Sequence, residues 1–148
     1  MSYNIATATS DIRAILDGVV ASTWTGLGYT VDTIEWPNTY FVKPGNGAWM
    51  RVTYPQQTTI PFTYSGTGGV AQNQTTALLA IQVFAPRNAG DFILIAAVDA
   101  FRARFERQSF ADGIRFSEAS GPNDTAFEPQ WAGRALIFPF NYIENIQL

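Results

Sequence analysis

The spacing of apolar residues predicts two amphipathic helices. The first apolar stripe recurs every three or four positions near the start of the chain and consists of Ile12, Ile15, Leu16, Val19 and Val20. The second helix is expected from about residue 91, with Asp91 as N-cap, to about residue 108. Its apolar stripe consists of Leu94, Val98, Phe101 and Phe105. Because both stripes need a partner surface, we expect the two helices to share one core.

Alternation of apolar and polar residues predicts strands between and after the helices. In residues 48–54, Met50, Val52 and Tyr54 point to one side, and Trp49, Arg51 and Thr53 to the other. Further strands are expected at 29–36, 75–84, 114–117 and 131–143, with a polar loop at 120–130 and Pro139 at an edge or bulge. Strands that follow one another without a helix favour an α+β fold. We therefore expect a single domain spanning residues 1–148, in which two helices pack on one face of an antiparallel sheet.

A long uncharged segment runs through the middle of the chain. Residues 52–86, 35 in all, contain no Asp, Glu, Lys or Arg, and the central part is rich in Thr, Gln, Asn and Gly. Such a surface suits backbone pairing with another chain, since no charge has to be desolvated. We expect residues 56–75 to project as a long β-hairpin arm that becomes ordered against a neighbouring subunit. The alternative is a mobile hairpin tip.

The composition agrees with a partly covered surface. The chain of 148 residues is 47% hydrophobic and only 14% charged, against about 25% in an average protein. Eight of its nine basic residues are Arg, a bias typical of subunit interfaces. A net charge of −3 and a pI near 4.7 argue against binding to a nucleic-acid backbone. No membrane span or signal pattern is recognisable, so we expect a protein that stays in the cytoplasm where it is made.

Little catalytic chemistry is available to this sequence. It contains no Cys and no His, which excludes disulfides, the common nucleophile–histidine catalysts and most transition-metal sites. Glu35, beside Trp36, could act as a general acid if buried, or it could simply pair with an Arg. Asp124 and Glu128 could bind calcium, but no EF-hand loop surrounds them. Residues 65–69 are glycine-rich but lack the Lys and the helix of a phosphate-binding loop. We expect neither enzymatic activity nor a cofactor.

Several short motifs occur in a fixed order along the chain. They are Ile34-Glu35-Trp36-Pro37-Asn38 with Phe41 and Pro44, Trp49-Met50-Arg51-Val52, Leu79-x-Ile81-Gln82-Val83-Phe84-x-Pro86, Gly90 and Gly113-Ile114-x-Phe116. Over roughly residues 5–140, this order resembles the small tail terminator (tail completion) proteins of long-tailed bacteriophages. Members of that family often carry an Arg and a Gly before the third strand, where this chain has Gln74-Thr75-Thr76-Ala77.

The resemblance implies a structural protein that forms a ring, typically a hexamer, on the head-proximal end of the tail tube. Such a ring stops tube polymerisation and offers the surface that docks to the filled head. Its partners would be its own copies, the tail tube protein and a head-completion or connector protein, with DNA only as passing cargo and no membrane. The expected location is the neck region of the virion tail, after assembly in the host cytoplasm.

We expect the contacts with these partners to involve the segment 34–44, the strand at 48–54 and the uncharged segment. The candidate interface residues are Trp36, Phe41, Trp49, Arg51, Gln57, Thr59, Phe62, Tyr64, Gln72 and Gln74. The alternatives are a tube subunit or head-completion protein, a hydrolase that uses Glu35 or Glu128, and a small-molecule-binding module with a deep apolar cavity.

Overall fold

A computed structural model describes the backbone of residues 5–55, 57–64, 70–89, 91–124 and 130–147. Side chains are described for residues 11–55, 57–58, 74–88, 91–111, 113–123 and 130–143. Two α-helices lie in these ranges, α1 (Ile5–Gly26) and α2 (Phe92–Phe105). The strands are β1 (Ile34–Glu35), β2 (Trp49–Thr53), β3 (Gln57–Tyr64), β4 (Val70–Pro86), β5 (Ser109–Phe110), β6 (Ile114–Phe116), β7 (Ser120–Asp124) and β8 (Trp131–Gln147).

All eight strands form one sheet. Its order is β1-β2-β4-β8-β6-β5, with β3 beside β4 and β7 beside β8. The 17-residue strands β4 and β8 pair along their whole length, from Val70 opposite Gln147 to Pro86 opposite Trp131. The α+β class is therefore confirmed.

The sheet is mixed rather than purely antiparallel, which corrects the expectation. β1 runs parallel to β2, with Ile34 opposite Met50 and Glu35 opposite Arg51. The segment between these strands leads back to the end of the sheet at which β1 begins, so β2 runs in the same direction as β1. A parallel pair requires such a crossover.

Both helices pack on one face of the sheet, as expected. The main core joins the two helix stripes to the inward residues of β2, β4 and β8, including Met50, Leu79 and Phe138. The α1 stripe continues one turn further to Trp24, which is fully buried. The Trp24 indole nitrogen donates a hydrogen bond of 2.7 Å to the Thr33 hydroxyl.

Two other expectations about strands were wrong. In the segment 29–36, a 3₁₀ turn at Val31–Thr33 leaves only Ile34–Glu35 as strand. Conversely, part of the expected loop at 120–130 is β7, which pairs with β8 through Ser120 opposite Ile137. Its pairing with β8, rather than its own polar sequence, makes this segment extended.

Pro139 lies inside β8, not at an edge or bulge. Its carbonyl oxygen accepts a hydrogen bond of 3.0 Å from the Ser117 amide, on the side of β8 away from β4. The N–H and C=O groups of a strand residue point to the same side, so the amide hydrogen that Pro lacks is missing there too. On that side β6 has ended at Phe116 and β7 has not yet begun. Pro139 therefore removes no bond from the β4–β8 ladder.

Candidate assembly surface

The sheet face opposite the helices, called here the outer face, carries an uncharged central surface. The buried helix residues all belong to the core on the other face. Residues of β4 and β8 whose side chains alternate with the core residues point outward: Thr76, Leu78, Ala80, Gln82, Phe84, Trp131, Ala135, Ile137, Pro139 and Asn141. Among the side chains described on these two strands, none on the outer face is charged. This surface could bury against another protein without desolvating a charge.

An aromatic cluster closes one end of the outer face. Trp49 stacks on Phe84 at a centroid distance of 4.2 Å and meets the edge of Trp131 at 6.0 Å. Phe41 packs on Trp49 from the other side at 5.5 Å. Trp49 is completely buried, so it presents no surface and cannot serve as the accessible interface residue that we expected.

The Trp49 indole has an unusual environment. Its nitrogen is buried, and no hydrogen-bond partner for it lies among the described residues. Leaving a buried donor unpaired costs about 1–3 kcal/mol, so this cluster is less stable than its close aromatic packing suggests.

Arg51, another candidate interface residue, ties the sheet edge to the aromatic cluster. Its Nε donates to Glu35 Oε2 at 2.7 Å, directly across the parallel pair of strands. Its guanidinium group lies 5.6 Å from the centre of the Trp49 ring. Of the two roles considered for Glu35, this geometry matches the ion pair with an arginine.

Residues 37–47, called here the strap, connect β1 to β2 without regular structure and cross the aromatic cluster. Before the strap, the half-buried Trp36 packs against the main core, and its carbonyl accepts a bond of 2.8 Å from the Thr39 hydroxyl. Asn38 has a φ of 58°, a left-handed conformation that Asn tolerates better than most residues. Phe41 anchors the strap in the cluster, while Tyr40 and Val42 point outward with 93% and 67% exposure.

The uncharged segment forms a hairpin that belongs to the sheet. β3 pairs with β4 from Gln57 opposite Ala77 to Tyr64 opposite Ala71, with an irregularity between Pro61 and Thr63. β4 pairs with β8 on its other edge over the same stretch. The second edge of β3 has no strand partner in the described part of the chain. It is an eight-residue row of backbone groups without a charged side chain.

The remaining candidate interface residues lie along this hairpin. Gln57 is half-buried, and its Nε2 donates to the Tyr142 hydroxyl at 3.5 Å; Gln74 is half-buried too. The side chains of Thr59, Phe62, Tyr64 and Gln72 lie outside the described residues, as does the whole of 65–69. The structure describes this stretch of β4 as paired on both edges and does not describe the tip of the hairpin. The projecting arm therefore stays a prediction.

A polar contact joins α1 to the sheet near the base of the hairpin. The Tyr54 hydroxyl donates to Asp17 Oδ1 at 2.6 Å, and the Arg13 guanidinium lies 4.7 Å from the Tyr54 ring centre. Burial raises the pKa of Asp17, while the Tyr54 hydrogen bond and Arg13 partly oppose that rise. An adjoining cavity of about 10 Å³, bordered by Arg13, Gln57 and Tyr142, holds no more than one water.

Three features of the described residues concern the enzymatic and ligand-binding alternatives and the membrane. An open depression of about 350 Å³ lies between α1 and α2, lined by small side chains and Arg104. No group of three or more Asp or Glu residues that could hold a metal ion occurs among them. Glu128 and the Asp124 side chain lie outside the described ranges. Neither α1 nor α2 is long and apolar enough to cross a membrane.

Comparison with known proteins supports the fold alone. No protein-family model matches the chain, and no curated protein matches its sequence. A solved structure superimposes with a TM-score of 0.59, covering 93% of this chain and 94% of its own, at 16% sequence identity. Its name describes no activity. Since the likeness extends over nearly the full length of both chains, the arrangement of helices and sheet is one that an existing protein adopts.

Proposed function

We propose that this chain is a structural tail terminator of a long-tailed bacteriophage. It assembles as a ring, with six copies as the expected number, on the head-proximal end of the tail tube. There it stops addition of tube subunits and provides the docking surface for the head. The motif order along the chain leads to this family.

The observation that carries the proposal is the uncharged surface formed by the outward residues of β4 and β8 together with the open edge of β3. Free edges of native sheets are commonly protected by charged side chains. Here Pro61 and the irregularity beside it interrupt the edge, but no charge does. An eight-residue edge that is uncharged and without a strand partner among the described residues favours pairing with another chain.

The test is to image tubes of the tail protein encoded beside this chain, grown with and without the purified protein. The proposal predicts a ring at one end of each tube and no growth beyond it. Thr76→Lys places a charge in the middle of the outer face and should abolish capping, since that charge would have to be desolvated. Thr25→Lys adds the same charge at an exposed position of α1 and serves as the control.

The outcomes separate the alternatives. Tubes that keep growing in the presence of the folded wild-type protein would contradict the proposal. If the protein polymerises into tubes by itself, it is a tube subunit. Equal capping by the Thr76→Lys and Thr25→Lys variants would exclude the outer face as the contact surface.

A further inference from the structure

Two exposed apolar patches lie on opposite sides of the sheet. Tyr40 and Val42 form the strap patch, with 93% and 67% exposure. Phe92 and Ile95 form the helix patch, with 80% and 55% exposure. The strap patch flanks Phe41, which packs into the aromatic cluster of the outer face. The helix patch belongs to α2, which packs on the other face.

The strap patch has a fixed position and a basic neighbour. Phe41, inserted between Tyr40 and Val42, holds the strap against Trp49. Lys43 follows directly, and its ammonium lies 5.5 Å from the Trp49 ring centre. Lys43 is the single basic residue of the strap sequence 37–47, which contains no acidic residue.

The helix patch has acidic neighbours. Phe92 and Ile95 are three residues apart and share one face of α2. The exposed Asp91 precedes the patch, and the exposed Asp99 follows it one turn after Ile95. Residues 91–101 contain no basic side chain, so this patch is bordered by two carboxylates.

We propose that the strap patch of one copy of this chain binds the helix patch of a second copy. Each patch offers two large apolar side chains, and the signs of the surrounding charges are complementary. Because the patches lie on opposite sides of the sheet, the contact joins subunits head to tail. Every bound copy then keeps one patch free for the next, and such a contact generates a ring when its rotation closes. Only the ring closure rests on the proposed function.

The absence of Cys from the sequence allows a direct cross-linking test. Val42→Cys and Ile95→Cys proteins are mixed in equal amounts in a mild thiol–disulfide buffer, and disulfide-linked dimers are separated on a non-reducing gel. The mixed Val42→Cys/Ile95→Cys dimer should exceed the statistical yield several-fold. Ser22→Cys, at an exposed position of α1, is the control partner and should give only the statistical yield with Ile95→Cys. Equal yields for the two mixtures would overturn the contact.

Charge exchange in the same cross-linking assay gives a second test. Lys43→Glu makes both patches acidic, and Asp91→Lys with Asp99→Lys makes both basic, so each variant alone should lose cross-linking at these positions. Mixing the two variants restores an attractive pair at every junction and should restore the yield. Failure of the mixture to recover would refute the complementary charges. If tubes are still capped while no preferential cross-link forms, this contact is wrong and the tail-terminator function stands.

Discussion

At the scale of residues, two fully buried tryptophans differ in whether the indole nitrogen has a hydrogen-bond partner. Trp24 donates its indole hydrogen to Thr33, whereas the Trp49 indole has no partner among the described residues. Replacing each by Phe removes similar volume but has different polar consequences. Trp24→Phe loses a hydrogen bond, while Trp49→Phe removes an unpaired donor.

We predict that Trp49→Phe lowers the free energy of unfolding less than Trp24→Phe does, by about 1–3 kcal/mol. Urea unfolding of the two variants and the wild-type protein measures this difference. Equal losses for the two variants would mean that the Trp49 indole is hydrogen-bonded in solution.

The raised pKa of Asp17 implies that the stability of the folded protein depends on pH. Its pKa is raised in the folded protein, chiefly by burial, so folding favours the protonated carboxyl. The stabilisation is present below the ordinary pKa of Asp and is lost as the pH rises through the raised value. The stability of the wild-type protein relative to Asp17→Asn should therefore fall over that pH window, as measured by urea unfolding at a series of pH values.

Tyr54→Phe provides the control for this dependence. Without the Tyr54 hydroxyl, the Asp17 carboxylate loses a hydrogen bond that lowers its pKa. The pH range over which the relative stability falls should then extend to higher pH. A relative stability that rises with pH would mean that the charge of Arg13, not burial, dominates at Asp17.

At the scale of elements, α2 shows how a helix divides its surface between core and solvent. Phe101 is fully buried between the sheet and α1, whereas Phe92, on the same helix, is 80% exposed. The same substitution at the two positions therefore separates packing from helix propensity.

We predict that Phe101→Ala costs about 3–5 kcal/mol of stability, the range for emptying a large core site. Phe92→Ala should change it by no more than about 0.5 kcal/mol, since that side chain makes few contacts in the isolated subunit. Thermal unfolding of dilute protein measures both effects. A similar loss at the two positions would contradict the packing described for α2.

The sequence could predict those elements whose periodicity depends on their own residues. The stripes of α1 and α2 indicated the correct buried faces, and the alternation in β2 indicated a strand, because each follows from local geometry. The true extent of β1 could not be predicted, since only two residues of the strand expected at 29–36 are extended. β7 could not be recognised, since this polar segment is extended through its pairing with β8. The position of Pro139 depends on where β6 ends and β7 begins, which a single strand's sequence does not contain.

The candidate surface was predictable in part. The absence of charge in residues 52–86 is visible in the sequence, and in the structure it makes the outward side of β4 and the edge strand β3 uncharged. Trp49 was misassigned to the interface because alternation shows which side of a strand a residue occupies, not whether another segment covers it. Phe41 of the strap covers Trp49, and no local pattern in 37–47 predicts this contact.

At the scale of the whole molecule, the layers suggest a division of roles. The helices cover one face of the sheet and form the core, and the proposed function assigns the outer face and the β3 edge to contacts with other chains. A net charge of −3 is compatible with the proposed ring around passing DNA, because net negative charge repels the duplex. In this account the fold stabilises each subunit, and the uncharged surface drives assembly.

The length distribution of tails in host cells tests this account most directly. The gene for this chain is disrupted in its phage, and the protein is supplied from a second gene or withheld. With the protein, we predict tails of one length joined to heads. Without it, we predict tails of uncontrolled length that carry no head. Tails of normal length with heads attached in its absence would contradict the proposed function.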